Sequence, residues 1–275
     1  MQDFDGGRIV CTPAILTAMP SAITSVWDAL GGSGGRLGWP TSAATPIGTA
    51  TQQSFSGGLV VRGANGRAYP IVGMTLAAFR TAGGVAVLGA PLEAEKESAD
   101  GYSQRFERGV VFVPRDGGAS AVAGATFTEY TRVGGMNVMG FAVGPAVPVG
   151  AGTVQPFRRG SIAVLGGKAH TVRGTMAAVF QNAGGYTGPL GYPLESERAL
   201  KDGFVQGFQG GTAYVSPAAL AVTRGVLHRE YMGRGGPAGP LGWPLGNETS
   251  GDGVWQQSFQ NGTILLYADG RVVVR

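Results

Sequence analysis

The chain has 275 residues, of which 50 are glycine and only 14% are charged. A hydrophobic content of 43% excludes a disordered, highly charged chain, and the glycines lack the every-third-residue period of collagen. A net charge of +4 is too small and too scattered for a nucleic-acid-binding surface. No apolar run reaches the length of a transmembrane helix. One cysteine and two histidines leave no thiolate or histidine cluster, so we expect no metal and no other cofactor.

Two short motifs recur along the chain at a constant period. The first, Leu-Gly-x-Pro, begins at residues 37, 88, 139, 190 and 241, so every step is 51 residues, and the copy at 139 is degenerate. The second, Gln-x-Phe, keeps the same period, and a glycine follows each phenylalanine by three residues. Its phenylalanines are Phe4, Phe55, Phe106, Phe157, Phe208 and Phe259. Two motifs at one period of about fifty residues indicate a tandem repeat.

The predicted elements follow one order in every unit, which the second unit illustrates. After Phe55, two β-prone runs at residues 59–61 and 68–72 flank an Asn-Gly turn, a pattern typical of a β-hairpin. Residues 74–82 lack turn formers and predict one short helix, which Gly83 and Gly84 end. A helix of this length is unstable alone, so we expect its aromatic residue to pack on the hairpin.

After the helix comes the Leu-Gly-x-Pro segment, and then a variable polar loop such as residues 93–103 leads to the next Gln-x-Phe strand. A glutamine two residues before a buried phenylalanine lies on the same side of a strand. We therefore expect these glutamines to bind backbone groups of loops, with sugar binding as the alternative.

We predict a mainly β fold with short helices, in which five 51-residue repeats stack as an elongated stalk. Each repeat is expected to form a small four-stranded β-unit with one short helix. A β-propeller made of the same repeats is the architectural alternative. The predicted repeats are residues 1–51, 52–102, 103–153 with the degenerate motif, 154–204 and 205–255, closed by a β-hairpin at 256–275.

The two motifs together resemble the LGFP repeat family over essentially the whole chain. Ser216-Pro217 and the stretch from His170 to Gly174 are similar to further parts of the family pattern. The family occurs in envelope proteins of actinobacteria that have a mycolic-acid outer membrane, where it adjoins mycoloyltransferase or cell-wall hydrolase domains. The resemblance implies small β-units with a short helix, and non-catalytic attachment to the peptidoglycan–arabinogalactan wall.

Departures from the family pattern single out the last two repeats as the better candidates for ligand binding. Ala90 replaces the motif aromatic in the second repeat, and Met139 and Ala142 replace leucine and proline in the third. An aromatic at the x position offers a flat platform for a sugar ring, although packing between repeats is the favoured explanation. An arginine in the Val-Arg-Gly stretch pairs either with a carbonyl or with an anionic ligand. The candidate ligand-binding residues are Trp39, Tyr192, Trp243, Arg173, Arg224 and His170.

The expected function is therefore a non-catalytic module that binds cell-wall polysaccharide through several weak sites. A spacer stalk that carries a partner enzyme domain is one alternative, and a cell-wall esterase or hydrolase is another. The Gly-x-Ser-x-Gly sequence at residues 31–35 follows a predicted helix instead of a strand, so it indicates a loop and not a nucleophile elbow. The role implies an extracellular, wall-associated protein. No signal peptide is visible at the start of this chain, so we expect that it has been removed or lies in an upstream region.

Overall fold

The computed structural model describes residues 1–275 and contains six small antiparallel sheets joined by short helices. Strands account for 41% of the chain and helices for 23%, which confirms the mainly β class. The first sheet has three strands and each of the others has four. Within every sheet the strands lie in chain order, because each is joined to the next by a tight turn.

The six sheets are numbered in chain order and contain strands of three to six residues. Sheets 1 and 2 are β1 Gln2–Phe4, β2 Gly7–Cys11, β3 Leu16–Pro20, then β4 Thr45–Ile47, β5 Ala50–Phe55, β6 Gly58–Arg62, β7 Ala68–Val72. Sheets 3 and 4 are β8 Lys96–Ser98, β9 Gly101–Phe106, β10 Gly109–Pro114, β11 Ser120–Ala123, then β12 Val147–Val149, β13 Gly152–Phe157, β14 Gly160–Leu165, β15 Lys168–Arg173. Sheets 5 and 6 are β16 Arg198–Leu200, β17 Gly203–Phe208, β18 Gly211–Val215, β19 Leu220–Arg224, then β20 Thr249–Gly251, β21 Val254–Phe259, β22 Gly262–Tyr267, β23 Val272–Val274.

A nine-residue helix follows each of the first five sheets, in agreement with the predicted short helix. The α-helices are α1 Ser21–Ala29, α2 Gly73–Thr81, α3 Gly84–Leu88, α4 Gly124–Arg132, α5 Met136–Met139, α6 Gly174–Asn182 and α7 Gly225–Gly233. The short helices α3 and α5 continue the chain beyond the double glycine in two repeats, where the sequence predicted only a helix end. In the other three repeats a 3₁₀ turn takes this place, and Gly32–Gly34 is the one that holds Ser33.

The outer strand of each complete sheet corrects the prediction of a polar loop. Residues 93–103 were expected to form a loop, but Lys96–Ser98 pairs with β9 as a fourth strand. The strand is only three residues long and exposed, as is usual for a sheet edge that must resist pairing with other chains. The closing segment also differs, because the predicted hairpin at 256–275 belongs to the four-stranded sheet 6.

The chain divides into two compact units. One contains Met1–Ala146 with Pro156–Arg158, and the other contains Val147–Gln155 with Arg159–Arg275. The arrangement of the repeats as a stalk stays a prediction.

In both units the hydrophobic core lies in layers between consecutive sheets. In the first unit, Trp27 of α1 is buried together with Val10 of sheet 1 and Phe55 of sheet 2. In the second unit, Phe180 of α6 is buried together with Val172 of sheet 4 and with residues of sheet 5. A single sheet of four short strands cannot bury a core alone, so each layer needs the residues of two repeats.

In sheets 3 to 6 the phenylalanine of Gln-x-Phe stacks on the aromatic residue of the preceding helix, and in sheet 2 Phe55 is buried in the same layer as Trp27. The ring centroids of Tyr231 and Phe259 are 4.3 Å apart, and those of Phe180 and Phe208 are 4.8 Å apart. Phe4 is the exception, since no helix precedes sheet 1 within residues 1–275. Its side chain is 51% exposed.

The Leu-Gly-x-Pro segment closes each layer, and each of its fixed residues has a structural role. The leucine, or Met139 in the degenerate copy, is buried in the layer. The glycine has a positive φ, such as 69° at Gly242, and a Cβ there would meet the side chain of Gln260 at 2.5 Å. The fourth residue pairs with the phenylalanine of the next sheet, as Pro244 does with Phe259.

Within each unit, the glutamine of Gln-x-Phe links a sheet to the one before it. Gln257 Nε2 donates hydrogen bonds to the carbonyl oxygens of Val222 in β19 and of Gly246, both at 2.8 Å. The partners lie 35 and 11 residues upstream. The same two offsets occur at Gln53 and Gln206, and at Gln104 they are 34 and 11 residues.

Replacing equivalent phenylalanines by alanine tests whether their contribution to stability comes from burial between two sheets. Phe259→Ala removes a buried ring and should lower the free energy of unfolding by about 3–5 kcal/mol. Phe4→Ala removes the equivalent but exposed ring and should cost about 1 kcal/mol or less. Urea unfolding of both variants provides the measurement. Equal losses would contradict the assignment of the core to layers between sheets.

Neighbouring glutamines of β21 provide a matched test of the amide link. Gln257→Leu leaves two carbonyl groups without their donor and should cost about 1–3 kcal/mol for each buried carbonyl. Gln256→Leu changes an exposed side chain and should alter the free energy of unfolding by less than about 0.5 kcal/mol. Thermal and urea unfolding provide the measurement. A Gln257→Leu variant as stable as the parent would contradict the structural role of these hydrogen bonds.

Candidate functional site

The aromatic residues at the x position of Leu-Gly-x-Pro differ in exposure. Tyr192 and Trp243 are each only 5% exposed, whereas Trp39 is 40% exposed. The structure therefore does not bring the three candidate platforms to one common surface. The burial of Tyr192 and Trp243 indicates that these rings pack between repeats.

Tyr192 and Trp243 pack back on the sheet that precedes them. The Tyr192 hydroxyl donates a hydrogen bond to the Val149 carbonyl oxygen at 2.5 Å, and burial raises the pKa of this phenol. Trp243 meets the ring of Tyr214 edge to face, with centroids 6.2 Å apart. Glycine lets these rings approach, because a Cβ on Gly152 would lie 2.8 Å from the Tyr192 ring.

Trp39 is exposed because sheet 1 lacks the outer strand that covers the equivalent ring in sheet 4. Its ring lies 6.2 Å from that of Trp27 and borders a cavity of about 490 Å³. Cys11, Thr12 and Thr41 also line this cavity. The ring is thus available to solvent, although its surroundings differ from those of the other repeats.

The two candidate arginines both form ion pairs with a glutamate 24 residues further along the chain. Arg224 Nη2 lies 2.6 Å from Glu248 Oε1, and Arg173 Nη2 lies 3.5 Å from Glu197 Oε1. Burial raises the pKa of Glu197, and the charge of Arg173 opposes this effect. A carboxylate partner for the arginine was not among the sequence-based alternatives.

His170 lies on β15 opposite Ala163 and is half-buried, apart from both arginine pairs. The second histidine, His228, lies in α7, where its Nδ1 is 2.7 Å from the Thr223 hydroxyl oxygen. Burial lowers the pKa of His228, and the charge of Arg229 adds to the effect.

The structure adds a residue that the sequence analysis missed. Trp255 of β21 is 41% exposed and lines a groove of about 400 Å³ together with Arg224, Glu248 and Leu266. Trp255 precedes the buried Gln257 by two residues, so both side chains lie on the same face of the strand. The alternation of side chains along β21 could have identified this residue from the sequence. It predicts that an aromatic two residues before the glutamine of Gln-x-Phe lies on the same strand face as that glutamine.

The same three residue types recur one repeat earlier. Arg173 and Glu197 form the ion pair, and Phe204 of β17 is 44% exposed at the position equivalent to Trp255. The spacing between corresponding residues is 51 in all three cases. Chemically, each set offers a planar donor, a carboxylate acceptor and a flat apolar face.

Comparison with known families agrees with this repeat structure. A family model described as the LGFP repeat matches residues 88–137 and 190–239. These two stretches of the chain are similar to the LGFP repeat. Each matched stretch begins at the leucine of Leu-Gly-x-Pro and holds one whole sheet and the nine-residue helix after it. The boundary placed at residue 51 in the sequence analysis instead falls inside β5.

No curated protein matches the chain. Among solved structures, the AfRom2 CNH domain is 7% identical over 88% of this chain and 72% of that one, with a TM-score of 0.17. PorZ, a surface component of the type-IX secretion system of Porphyromonas gingivalis, is 9% identical over 86% of this chain and 26% of its own, with a TM-score of 0.15. Likeness at these scores carries no argument.

The environment of His228 generates a prediction about pH. The unfolded chain takes up a proton near the ordinary histidine value of 6.5, whereas the folded protein takes it up only at lower pH. The contribution of neutral His228 to the free energy of unfolding should therefore be fully present above pH 6.5 and should decrease as the pH falls below 6.5. We expect a lower urea midpoint at pH ~5.5 than at pH ~7.5, and a smaller difference in His228→Gln. An NMR titration with a pKa at or above 6.5 would contradict the assignment.

Proposed function

We propose that this chain is a non-catalytic module that binds the peptidoglycan–arabinogalactan cell wall and anchors a protein to the envelope. LGFP repeats indicate a cell-wall-associated repeat module. The observation that supports polymer binding is the recurrence of an Arg–Glu ion pair with an exposed aromatic residue at a spacing of 51 residues. A polymer with repeating sugars engages repeated weak sites together, and the combined affinity exceeds that of one site.

The proposed location is extracellular, at the wall, with an enzyme domain as a neighbour in the native protein. No helix of the structure is long and apolar enough to cross a membrane.

Sedimentation with purified wall tests this function. We expect saturable retention on arabinogalactan–peptidoglycan, reduced retention on wall stripped of arabinogalactan, and none on cellulose. The amount of wall polymer should stay constant during the assay and no sugar should be released, because we expect no turnover. Absence of retention would favour the spacer, and release of sugars or acyl groups would favour the hydrolase or esterase.

A further inference from the structure

We infer that the groove at Trp255 binds a neutral polysaccharide chain, and that the equivalent set around Phe204 forms a second, weaker site. This inference rests on the proposed function, because it states where the wall polymer is held and which of its chemical components is recognised.

The exposed ring of Trp255 is the first feature that fits a sugar. Trp255 lies beside Leu266, with which it pairs across β21 and β22, and both residues line the groove. A large, flat side chain is normally buried unless its face serves a contact, and Trp27 and Trp243 of this chain are buried. The C–H face of a sugar ring is apolar and flat, so it matches such a platform while the ring hydroxyls point away from it.

The Arg224–Glu248 pair supplies the polar partners for those hydroxyls. A guanidinium has five N–H donors and a carboxylate has several acceptor sites, and one contact of 2.6 Å between them leaves the others available. A hydroxyl both donates and accepts, so it can bind both members of the pair. Because the two charges compensate each other, an anionic ligand would gain little from Arg224. The chemistry therefore favours a neutral glycan over the carboxylate-bearing peptide of the wall.

The recurrence of the set indicates that it is more than a local ion pair. The residue before the nine-residue helix is arginine only before α6 and α7. At the other three junctions it is Pro20, Val72 or Ala123. The two arginines occur together with the two exposed aromatics, Phe204 and Trp255, one repeat apart. A smaller ring at Phe204 offers less stacking area, which makes it the weaker site.

Replacement of Trp255 tests the inference on the whole chain. Soluble arabinogalactan is the probe, and a dissociation constant is measured by sedimentation or calorimetry. We expect Trp255→Ala to weaken binding about five- to thirtyfold, as for other exposed anchor residues, and Phe204→Ala to weaken it less. Leu245→Ala is the matched control, because this leucine is exposed on the same repeat outside the groove and should leave affinity unchanged. Unfolding curves of all variants should coincide.

Two further readouts separate the outcomes. Trp255 and Trp39 are the exposed tryptophans among four, so arabinogalactan should change the intrinsic fluorescence of the parent and of Trp39→Phe, but not of Trp255→Phe. Affinity should stay constant from about 0.05 to about 0.5 M salt, since a neutral ligand is not screened.

Binding that survives Trp255→Ala unchanged would overturn the groove and leave the proposed function intact. Affinity that falls steeply with salt would overturn the neutral class. Failure of the parent to bind wall would overturn the proposed function itself.

Discussion

The packing of the Gln-x-Phe phenylalanine against the preceding helix is the contact on which the rest of this fold depends. The sheets are too small to hold a core, so a ring from one repeat must complete the layer begun by another, as Phe208 does for Phe180. The glutamine of the same motif satisfies two buried carbonyl groups in that layer, and it can do so only when the phenylalanine beside it is in place. The two recurring spacings, 34 or 35 residues and 11 residues, thus fix the register between consecutive sheets within each unit.

Much of this organisation was predictable because it rests on local pattern. The period of 51, the hairpins, the nine-residue helices and the structural role of the glutamines follow from turn chemistry, alternation and helix propensity. The outer strands were not predictable, since a polar run such as Lys96–Ser98 becomes a strand only because β9 offers it an unpaired edge. Periodicity also fixes a repeat length without fixing where a repeat begins. The start of a repeat depends on which segments share a sheet. Each complete sheet lies between a Leu-Gly-x-Pro segment and the following helix or the end of the chain.

The candidate site was harder to predict than the fold, because exposure depends on neighbours that are distant in sequence. Trp39, Tyr192 and Trp243 occupy one motif position, yet only Trp39 is exposed, because only sheet 1 lacks the outer strand that covers such a ring. The arginines were identified from the sequence, but their glutamate partners were not. Glu197 and Glu248 lie in the variable loop after Leu-Gly-x-Pro, a region in which composition carries little information. Each pair forms because β19 or β15 ends beside that loop, a proximity that only the layered packing creates.

The layered packing also explains why recognition surfaces in such a chain lie at the rims of the layers. Residues at the centre of a layer, such as Tyr231 and Phe259, are committed to holding two sheets together and cannot change without loss of stability. Positions at the rim, such as 204 and 255, lie on the same strand face but outside the stack, so they can vary from threonine to tryptophan between repeats at little cost. Repeats can therefore share one architecture while differing in what they bind. In this chain the rim residues that we propose for sugar contact lie at the last two junctions, where the arginine, the glutamate and the exposed aromatic coincide.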